Sequence, residues 1–287
     1  MAGYIPRSFS LLFLALLCGC LSGCAALLTS TVIRPAVDNL QYQTDIALVC
    51  EGAPAFLLML DSMLVSSPKS RGLLLTASQS YSAYAAVLEE CGAEPTRIAA
   101  TALRAKEYGQ RLLHPFIPLA PDLTEDQLAA ALARLRADQV PMVFWGTYGW
   151  LSWIKTENGS PAALADTVII EKIMRRLLEL DEGYHSGAIH LFFGAYYAAR
   201  PALLGGRPDL ARRHFEQALT LSERQFLLVQ TTYAETFARA TMDGELHDRL
   251  LREVVSFPVD SVPERALSNQ LAINRAARLL AEEYFAE

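Results

Sequence analysis

The stretch GAIHLFFGAYYAARPALLGGRPDLARRHFEQALTLS, from Gly187 to Ser222, predicts two helices joined by a loop rich in glycine and proline. In the first helix, small and aromatic residues recur at helical spacing and form one apolar face: Ala188, Leu191, Phe192, Ala195, Tyr196 and Ala199. Residues 200–208 end that helix, because glycine permits positive φ and proline lacks a backbone N–H. A second apolar row follows Asp209, whose carboxylate suits the first turn of a helix. The stretch therefore predicts a helical hairpin.

The hairpin has the residue spacing of a tetratricopeptide repeat, in which alanine lets two helices approach closely and phenylalanine fills the remaining gap. The matching positions are Gly194, Tyr197, Ala211, Phe215 and Ala218. Two features depart from the repeat: the loop is about five residues longer, and Glu223 replaces the proline that usually closes it. An ordinary antiparallel helix pair is the alternative interpretation.

The rest of the chain reads as helix after helix, and no segment has the sustained period-2 alternation that would predict a strand. Residues 115–123 form a proline-rich connector, and Thr124 with Gln127 resembles a capping box at the start of a short helix. We therefore predict an all-α chain of about a dozen helices. The expected architecture is a right-handed, solenoid-like array of antiparallel helix hairpins with degenerate tetratricopeptide-like repeats.

Residues 1–23 have the pattern of a bacterial lipoprotein signal peptide. Arg7 is the only charge before a short apolar run, Phe9 to Cys18, which is too short to span a bilayer as a mature helix. The run leads into Leu21-Ser22-Gly23-Cys24, which matches the lipobox, so we expect Cys24 to be diacylated and to become the first residue of the mature chain. The alternatives are an ordinary secretory signal cut nearby, or an apolar start without function.

The mature chain is expected to consist of a lipidated tether, residues 24–32, and a single helical domain, residues 33–287. The lipid would hold it on the periplasmic side of a bacterial membrane. Ala25 stands where an Asp would retain it at the inner membrane, so the outer membrane is the expected destination. Losing Arg7 takes the net charge from −6 to about −7, and no basic cluster interrupts it, which argues against nucleic acid as a partner.

Two cysteines remain after the signal is removed and the lipid is attached, namely Cys50 and Cys91. We predict that each ends a helix, roughly 33–50 and 70–91, with another helix, roughly 54–66, between them. In an up-down-up array the first and third helices run parallel and end on the same side, so a disulfide is geometrically feasible in an oxidising compartment. Two separate buried thiols are the alternative.

The segment from Val143 to Ile154 contains all three tryptophans of the chain, together with Tyr148, Gly146 and Gly149. Trp145 and Trp153 do not share a face with Trp150, so the helix is aromatic nearly all round. Core packing explains such a helix in most proteins. The sharper hypothesis is a wall that lines a site for an organic ligand.

The sequence gives little support to catalysis. Residues 183–187 resemble a nucleophile elbow, but the serine stands one place late for G-x-S-x-G and no strand precedes it. His185 and His190 do not share a helical face, and no cysteine or acidic cluster completes a metal site. We therefore expect no enzyme, no cofactor and no metal.

Much of the mature chain resembles the T component (TatT) of TRAP transporters, the tripartite ATP-independent periplasmic systems. The resemblance is carried by Gly194–Gly206, Ala211–Ser222, Tyr233-Ala234, Leu250–Val255 and Pro263–Ala281, with weaker matches at Arg175–Tyr184, the Trp145 helix and Pro54–Leu64. It implies a periplasmic lipoprotein of tetratricopeptide-like repeats that forms a homotrimer and engages the substrate-binding (P) subunit. It also implies a hydrophobic cleft or pore in each protomer.

Two functions are compatible with these observations. The first is a TRAP transporter accessory that binds the P subunit and a small organic ligand, an acid or a hydrophobic compound. Its candidate cleft-lining residues are Trp145, Tyr148, Trp150, Phe192, Tyr196, Tyr197, Tyr233 and Arg275. Arg275 is the candidate partner of a carboxylate, because a guanidinium can hold that group bidentately, although a structural ion pair is the alternative role. The second function is a membrane-anchored interaction scaffold in which the aromatic residues are only core.

Overall fold

A computed structural model describes residues 34–120, 122–199, 206–282 and 284–285 of the chain. The predicted signal peptide, Cys24 and the tether lie outside these residues. Within the described residues the chain forms twelve α-helices and no strand. The helices are α1 Arg34–Gln41, α2 Ile46–Ser66, α3 Arg71–Glu90, α4 Pro95–Leu113, α5 Glu125–Ala133, α6 Val140–Ile154, α7 Pro161–Leu180, α8 Tyr184–Ala198, α9 Pro208–Leu221, α10 Leu228–Thr232 continuing as a π-helix over Tyr233–Ala238, α11 Gly244–Val255 and α12 Ala266–Ala281. The prediction of an all-helical chain is thus confirmed.

The predicted boundaries of the first helices are wrong, because α2 runs through Pro54 instead of starting there. The chain breaks earlier, and the side chain of Asp45 caps α2 by accepting the N–H of Leu48 at 3.0 Å. Pro54 cannot donate to the carbonyl of Cys50, one turn back. The hydroxyl of Tyr84 donates to that carbonyl at 3.4 Å and replaces part of the missing hydrogen bond.

α2 is also the one helix in the described part of the chain that is long and apolar enough to cross a membrane, judged by length and composition alone. Only 28% of its most apolar window is buried. Its outer face carries large exposed side chains: Leu48, Leu58, Met59 and Val65. Its inner face packs on α3 and α4, where the carboxylate of Asp61 accepts hydrogen bonds from the hydroxyls of Tyr81, at 2.8 Å, and Tyr108, at 2.6 Å.

Cys50 and Cys91 form a disulfide, with their Cα atoms 5.9 Å apart. The geometry differs from the expectation of parallel first and third helices. Cys50 lies near the start of α2 and Cys91 directly follows α3. Because α2 and α3 are antiparallel neighbours joined by a short turn, the start of one lies beside the end of the other.

The buried apolar residues form two cores. The first lies between α2, α3 and α4, and the second lies between α5 to α12 with the end of α4. The final helix joins them, because Leu267 of α12 belongs to the first core while Ala276 belongs to the second. α12 also contacts α1, so the last helix returns to the first elements of the chain.

Helices α4 and α6 cross at a point where glycines bring the two backbones together. A Cβ on Gly109 would overlap the carbonyl oxygen of Gly146, and a Cβ on Gly149 would overlap that of Ala105. The hydroxyl of Ser78 on α3 donates to the carbonyl of Trp145 at 2.8 Å and ties a third helix to the crossing. The position of the tryptophan helix is therefore fixed by backbone contact.

The short helix α5 begins as predicted. The hydroxyl of Thr124 accepts the backbone N–H of Gln127 at 3.3 Å, and the side chain of Gln127 accepts the N–H of Thr124 at 2.9 Å. The capping box is confirmed.

Candidate functional site

Three segments that are distant in sequence meet around the side chain of His185. We call this group the His185 cluster: Phe144 and Trp145 on α6, Tyr184 and His185 at the start of α8, and Phe226 in the loop after α9. The ring of His185 lies 5.2 Å from that of Trp145 and 5.8 Å from that of Phe226, both edge to face. Tyr148 stacks on Phe144 at 6.0 Å and extends the cluster along α6.

The backbone at the cluster is unusual. His185, Ser186 and Gly187 have φ of 48°, 54° and 78°, which places three successive residues in the left-handed region. Gly187 is required here, since it has positive φ and a Cβ would press on Leu221 at 3.1 Å. Non-glycine residues reach this region at a cost of about 1 kcal/mol or more each, so packing must hold His185 and Ser186 in place.

The side chain of His185 is exposed to solvent on one side, and protein atoms surround the rest of the ring. Burial, helped by the positive charge of Arg265, lowers the pKa of His185 to about 4. The imidazole is therefore neutral near pH 7, and its ring neighbours Trp145, half-buried, and Phe226, buried, carry no charge.

A guanidinium lies at the edge of this wall. Arg265, in the turn before α12, donates a hydrogen bond to the hydroxyl of Ser186, and its Cζ lies 5.0 Å from the centre of the Phe226 ring. Burial lowers the pKa of Arg265, and the attraction of the adjacent Glu264 does not offset it. The cluster thus combines an aromatic wall with one partly desolvated cation.

A second group of rings lies on the rest of α8. Phe192 stacks on Tyr196 at 5.8 Å, and the ring of Tyr197 stacks on His214 at 5.7 Å. The Nδ1 atoms of His190 and His214 are 2.9 Å apart, so one imidazole donates to the other.

Burial lowers the pKa of both histidines of this pair. For His214, with added repulsion from His190, Arg213 and Arg175, the pKa falls to about 4. Glu182 opposes the shift of His190 without reversing it. The pair is therefore neutral near pH 7.

Two predicted cleft residues lie in the core instead. Trp150 is 3% exposed, and its indole N–H donates to Asp166 at 2.7 Å. Asp166 also pairs with Lys106 at 3.0 Å, whose ammonium lies 3.2 Å from the centre of the Trp153 ring. We call these four residues the Asp166 cluster.

Tyr233 is fully buried, stacks on Phe215 at 4.4 Å and donates to Glu216 at 3.1 Å. Trp150 and Tyr233 therefore do not face an open cleft, and burial of the rings explains their position.

Arg275 is held by carboxylates of the protein. It forms a two-bonded pair with Glu235, at 2.6 and 3.0 Å, and contacts Glu89 at 3.2 Å. This is the structural ion pair that the sequence left open as the alternative. The remaining candidates, Trp145, Tyr148, Phe192, Tyr196 and Tyr197, are half-buried, but they divide between the two groups of rings.

Sequence reasoning missed His185, Ser186 and Arg265 as a unit. Residues 183–187 attracted attention only as an imperfect nucleophile elbow, and Ser186 accepts from Arg265 rather than facing a base. The signal that could have found the site is the run Tyr184-His185-Ser186-Gly187, where a helix would have to start on residues that favour caps and turns. Within the described ranges, no group of three His, Cys, Asp or Glu residues is placed to hold a metal ion.

Comparisons with known proteins point to one family. An uncharacterized protein of Treponema pallidum (strain Nichols) is 25% identical over 260 residues, which cover 83% of this chain and 79% of that protein. The sequence model of the TRAP transporter T-component family matches residues 42–285, which include all helices from α2 to α12. The chain therefore belongs to the TRAP transporter T-component family.

Proposed function

We propose that this T component is a lipid-anchored periplasmic accessory that binds the substrate-binding P subunit of its transporter and a small organic ligand. Family membership supports the link to a TRAP system. The lipobox ending at Cys24 supports an anchor, and Ala25 after it favours the outer membrane. A homotrimer is part of the proposal and rests on the family resemblance alone.

We further propose that the helices form a degenerate tetratricopeptide-like array. Support comes from the α8–α9 hairpin, where Ala211 and Ala218 are fully buried and a Cβ on Gly194 would meet the Phe215 ring at 2.8 Å. This is the close approach that the repeat spacing predicts. The return of α12 to α1 goes beyond a simple open array.

The observation that carries ligand binding is the His185 cluster. Its wall is aromatic and keeps accessible area at His185, and a cation with no carboxylate partner among the described residues stands beside it. Concave sites with apolar walls and a few placed polar groups are typical of small-molecule sites. A pure interaction scaffold is the second candidate function. It is favoured by the core positions of Trp150 and Tyr233, which remove two predicted cleft residues.

Binding to the P subunit is tested by mixing the purified domain, residues 25–287, with the P subunit of the same organism's TRAP transporter. Association is measured by calorimetry and by size-exclusion chromatography with light scattering. We expect the two proteins to form a complex. Light scattering of the domain alone gives its oligomeric state, because a homotrimer would have three times the mass of one chain. Absence of association with that subunit would overturn the proposed partner.

The anchor is tested by Cys24→Ser in the full-length chain. We expect the variant to move from the membrane fraction to the soluble periplasm, because no acyl chain can be attached to serine by this pathway. The matched control is Cys20→Ser with Cys24 retained. It should stay in the membrane fraction, since Cys20 is removed with the signal peptide. Unchanged detergent partitioning of Cys24→Ser would contradict lipidation.

A further inference from the structure

The outer face of α2 is uncharged along most of its length. Exposed residues recur on it at helical spacing, and we call them the α2 stripe: Leu48, Gly52, Ala55, Leu58, Met59, Ser62 and Val65. Four of them are large apolar side chains, and no other helix among the described residues exposes more than two. Val65, the most exposed of the four, keeps 82% of its accessible area. Glu51, beside the stripe, is the exposed charged residue of this helix.

The second carboxylate of α2 is turned inward. Asp61 accepts hydrogen bonds from the hydroxyls of Tyr81 and Tyr108, at 2.8 and 2.6 Å, on the side that packs on α3 and α4. Surface helices of soluble proteins usually have the reverse arrangement, with charged residues outside and large apolar residues inside. A contiguous apolar face on the surface of a protein indicates contact with something else. α2 therefore has a second apolar face that the described residues leave uncovered.

α2 cannot cross a bilayer without leaving the fold, although its length and composition would allow it. Leu57, Leu60 and Leu64 on its inner face are buried in the first core. Crossing a membrane would draw these residues, together with the bonded Asp61, out of that core. A helix with one face packed and one apolar face free can instead lie in the plane of a membrane surface, with the free face towards the acyl chains.

The chain that precedes the fold keeps a membrane within reach of the stripe. Ten residues lead from Cys24, the proposed lipid site, to Arg34, where α1 begins. Even when fully extended they span at most about 35 Å, which is close to the length of α2, about 31 Å for its 21 residues. α1 contacts α3, on which α2 packs. A lipid on Cys24 therefore holds the N-terminal helices close to the bilayer.

Cations lie at the C-terminal end of the stripe. Lys69 and Arg71 are exposed in and after the turn that follows α2, and the guanidinium of Arg111 donates to the carbonyl of Pro68 in that turn at 2.8 Å. No carboxylate among the described residues forms an ion pair with these three cations. Arg71 is also the first residue of α3, where the helix dipole disfavours a cation. Phosphate groups of anionic lipids are the complementary partners for such cations beside an apolar face.

We infer that the α2 stripe rests on the surface of a lipid bilayer, with α2 parallel to the membrane plane and Lys69, Arg71 and Arg111 at the headgroup phosphates. This contact of the folded protein goes beyond the proposed anchor, although the argument from chain length rests on that anchor. The lipid on Cys24 holds the chain at the membrane, and the stripe sets which side of the fold faces it.

The first test uses the domain without its anchor, residues 25–287, which keeps every helix that the structure describes. It is sedimented with vesicles of phosphatidylethanolamine that contain phosphatidylglycerol as the anionic lipid. We expect weak, reversible binding, with half of the domain bound at roughly 1 mM lipid, and less binding to neutral phosphatidylcholine vesicles or at high salt. Because such binding is lost on dilution, Cys24→Ser is still released from membranes. Absence of binding to the anionic vesicles would overturn the inference.

The second test removes large side chains from the stripe. Leu58→Ser combined with Val65→Ser should lower the partition coefficient by about tenfold, because two apolar groups no longer enter the bilayer surface. The matched control is Leu164→Ser combined with Val168→Ser on α7, a leucine and a valine that are 60% and 49% exposed outside the stripe. The control should bind vesicles as the unmodified domain does. Equal losses in the two double variants, or no loss in either, would overturn the inference.

A fluorescent label locates the contact. In residues 25–287 the cysteines are Cys50 and Cys91, which are bonded to each other, so an introduced cysteine is the only free thiol. A nitrobenzoxadiazole dye attached to Met59→Cys should brighten and shift to the blue when vesicles are added, because it enters an apolar layer. The same dye on Leu164→Cys should not respond. If the Met59→Cys spectrum stays unchanged while the domain sediments with vesicles, another surface touches the membrane and the inference is wrong.

Other occupants of the stripe give different results. A fall in the mass of the free domain in Leu58→Ser with Val65→Ser, with vesicle binding unchanged, would assign the stripe to a second copy of the chain. Loss of association with the P subunit, with vesicle binding unchanged, would assign it to that subunit. Either result overturns the inference.

The proposed anchor is judged separately. If the anchor-free domain binds vesicles through the stripe but Cys24→Ser stays in the membrane fraction after dilution, the anchor fails and the inference stands. If Cys24→Ser is released and the anchor-free domain does not bind vesicles, the anchor stands and the inference fails.

Discussion

The α4–α6 crossing and the segment around His185 handle buried polar groups in opposite ways. At the crossing, glycines bring backbones into contact, and the Asp166 cluster pairs its cation, anion and indole N–H with one another. Around His185 the backbone is left-handed, and Arg265 lacks a carboxylate among the described residues. In the first region the ionisable groups pair with one another, whereas in the second the close partners of Arg265 are the hydroxyl of Ser186 and the Phe226 ring. Ionisable side chains near aromatic rings therefore do not by themselves indicate a binding site.

The largest expected effect concerns tryptophan truncation in the two regions. Trp150→Ala should lower the free energy of unfolding by about 4 kcal/mol, because it empties a core site and removes a hydrogen-bond donor from Asp166. Trp145→Ala, at a half-buried position, should cost about half as much. Urea unfolding followed by circular dichroism measures both. Equal costs would remove the contrast between a core ring and a wall ring.

The disulfide between α2 and the end of α3 is expected to contribute about as much to the stability of the first core. Replacing Cys50 and Cys91 together by alanine should lower the free energy of unfolding by about 4 kcal/mol, the chain-entropy value for a closed loop of this size. The measurement is urea unfolding with and without reductant, and the double variant should no longer respond to reductant. Labelling of both thiols in the denatured, unreduced wild-type protein would contradict the bond.

Glycine substitutions distinguish a glycine that lies against a backbone carbonyl, Gly109, from one that lies against a side-chain ring, Gly194. Gly109→Ala should cost about 3 kcal/mol, because the new Cβ overlaps a backbone carbonyl that cannot move aside. Gly194→Ala should cost roughly 1–2 kcal/mol, since the Phe215 ring that it meets at 2.8 Å can shift.

Gly52→Ala is the control for this pair. It lies within α2 with nothing near its Cβ position, so it should stabilise the protein by roughly 0.5–1 kcal/mol. Thermal melts of the three variants give the order. A larger loss for Gly194→Ala than for Gly109→Ala would show that the crossing is not the more rigid contact.

The smallest effect is a pH dependence that arises at the His190–His214 pair, on the part of α8 that follows the His185 segment. The pKa of His214 is about 4 in the folded protein against an ordinary value of 6.5, so the unfolded chain binds more protons between these values. Stability should therefore fall as pH drops from 6.5 towards 4, by about 1 kcal/mol at pH 5 after allowance for partial exposure. Unfolding in urea at pH 7 and pH 5 measures it.

His214→Gln should weaken that dependence, because glutamine does not titrate, and the part that remains should come from His185 and His190, whose pKa values are also lowered. The control is His114→Gln, at an exposed position at the end of α4. If both variants retain the wild-type slope, the His190–His214 pair is not its source.

The sequence was sufficient for the helical class, the α8–α9 hairpin and the capping box of α5, since each depends on local spacing. It misplaced the start of α2, because Pro54 was read as a helix start. The local signal was the cap at Asp45, whereas the hydroxyl of Tyr84, which compensates for Pro54, comes from a distant part of the chain. Trp150 lies in the core because its indole N–H bonds to Asp166, and Trp145 lies half-buried against His185, which the left-handed turn positions. Neither contact can be read from the sequence. The sequence also could not show that Arg275 forms an ion pair with Glu235, because the two residues are forty positions apart.

The return of α12 to the beginning of the chain has a consequence for the order of folding. Leu267 completes the first core, and Arg275 and Arg278 pair with Glu89 and Glu90 at the end of α3. These contacts join residues almost two hundred positions apart, so the first core is completed only after the last segment has been synthesised. Removal of α12 would therefore destabilise helices at the opposite end of the chain, because it takes away Leu267 and the partners of Glu89 and Glu90.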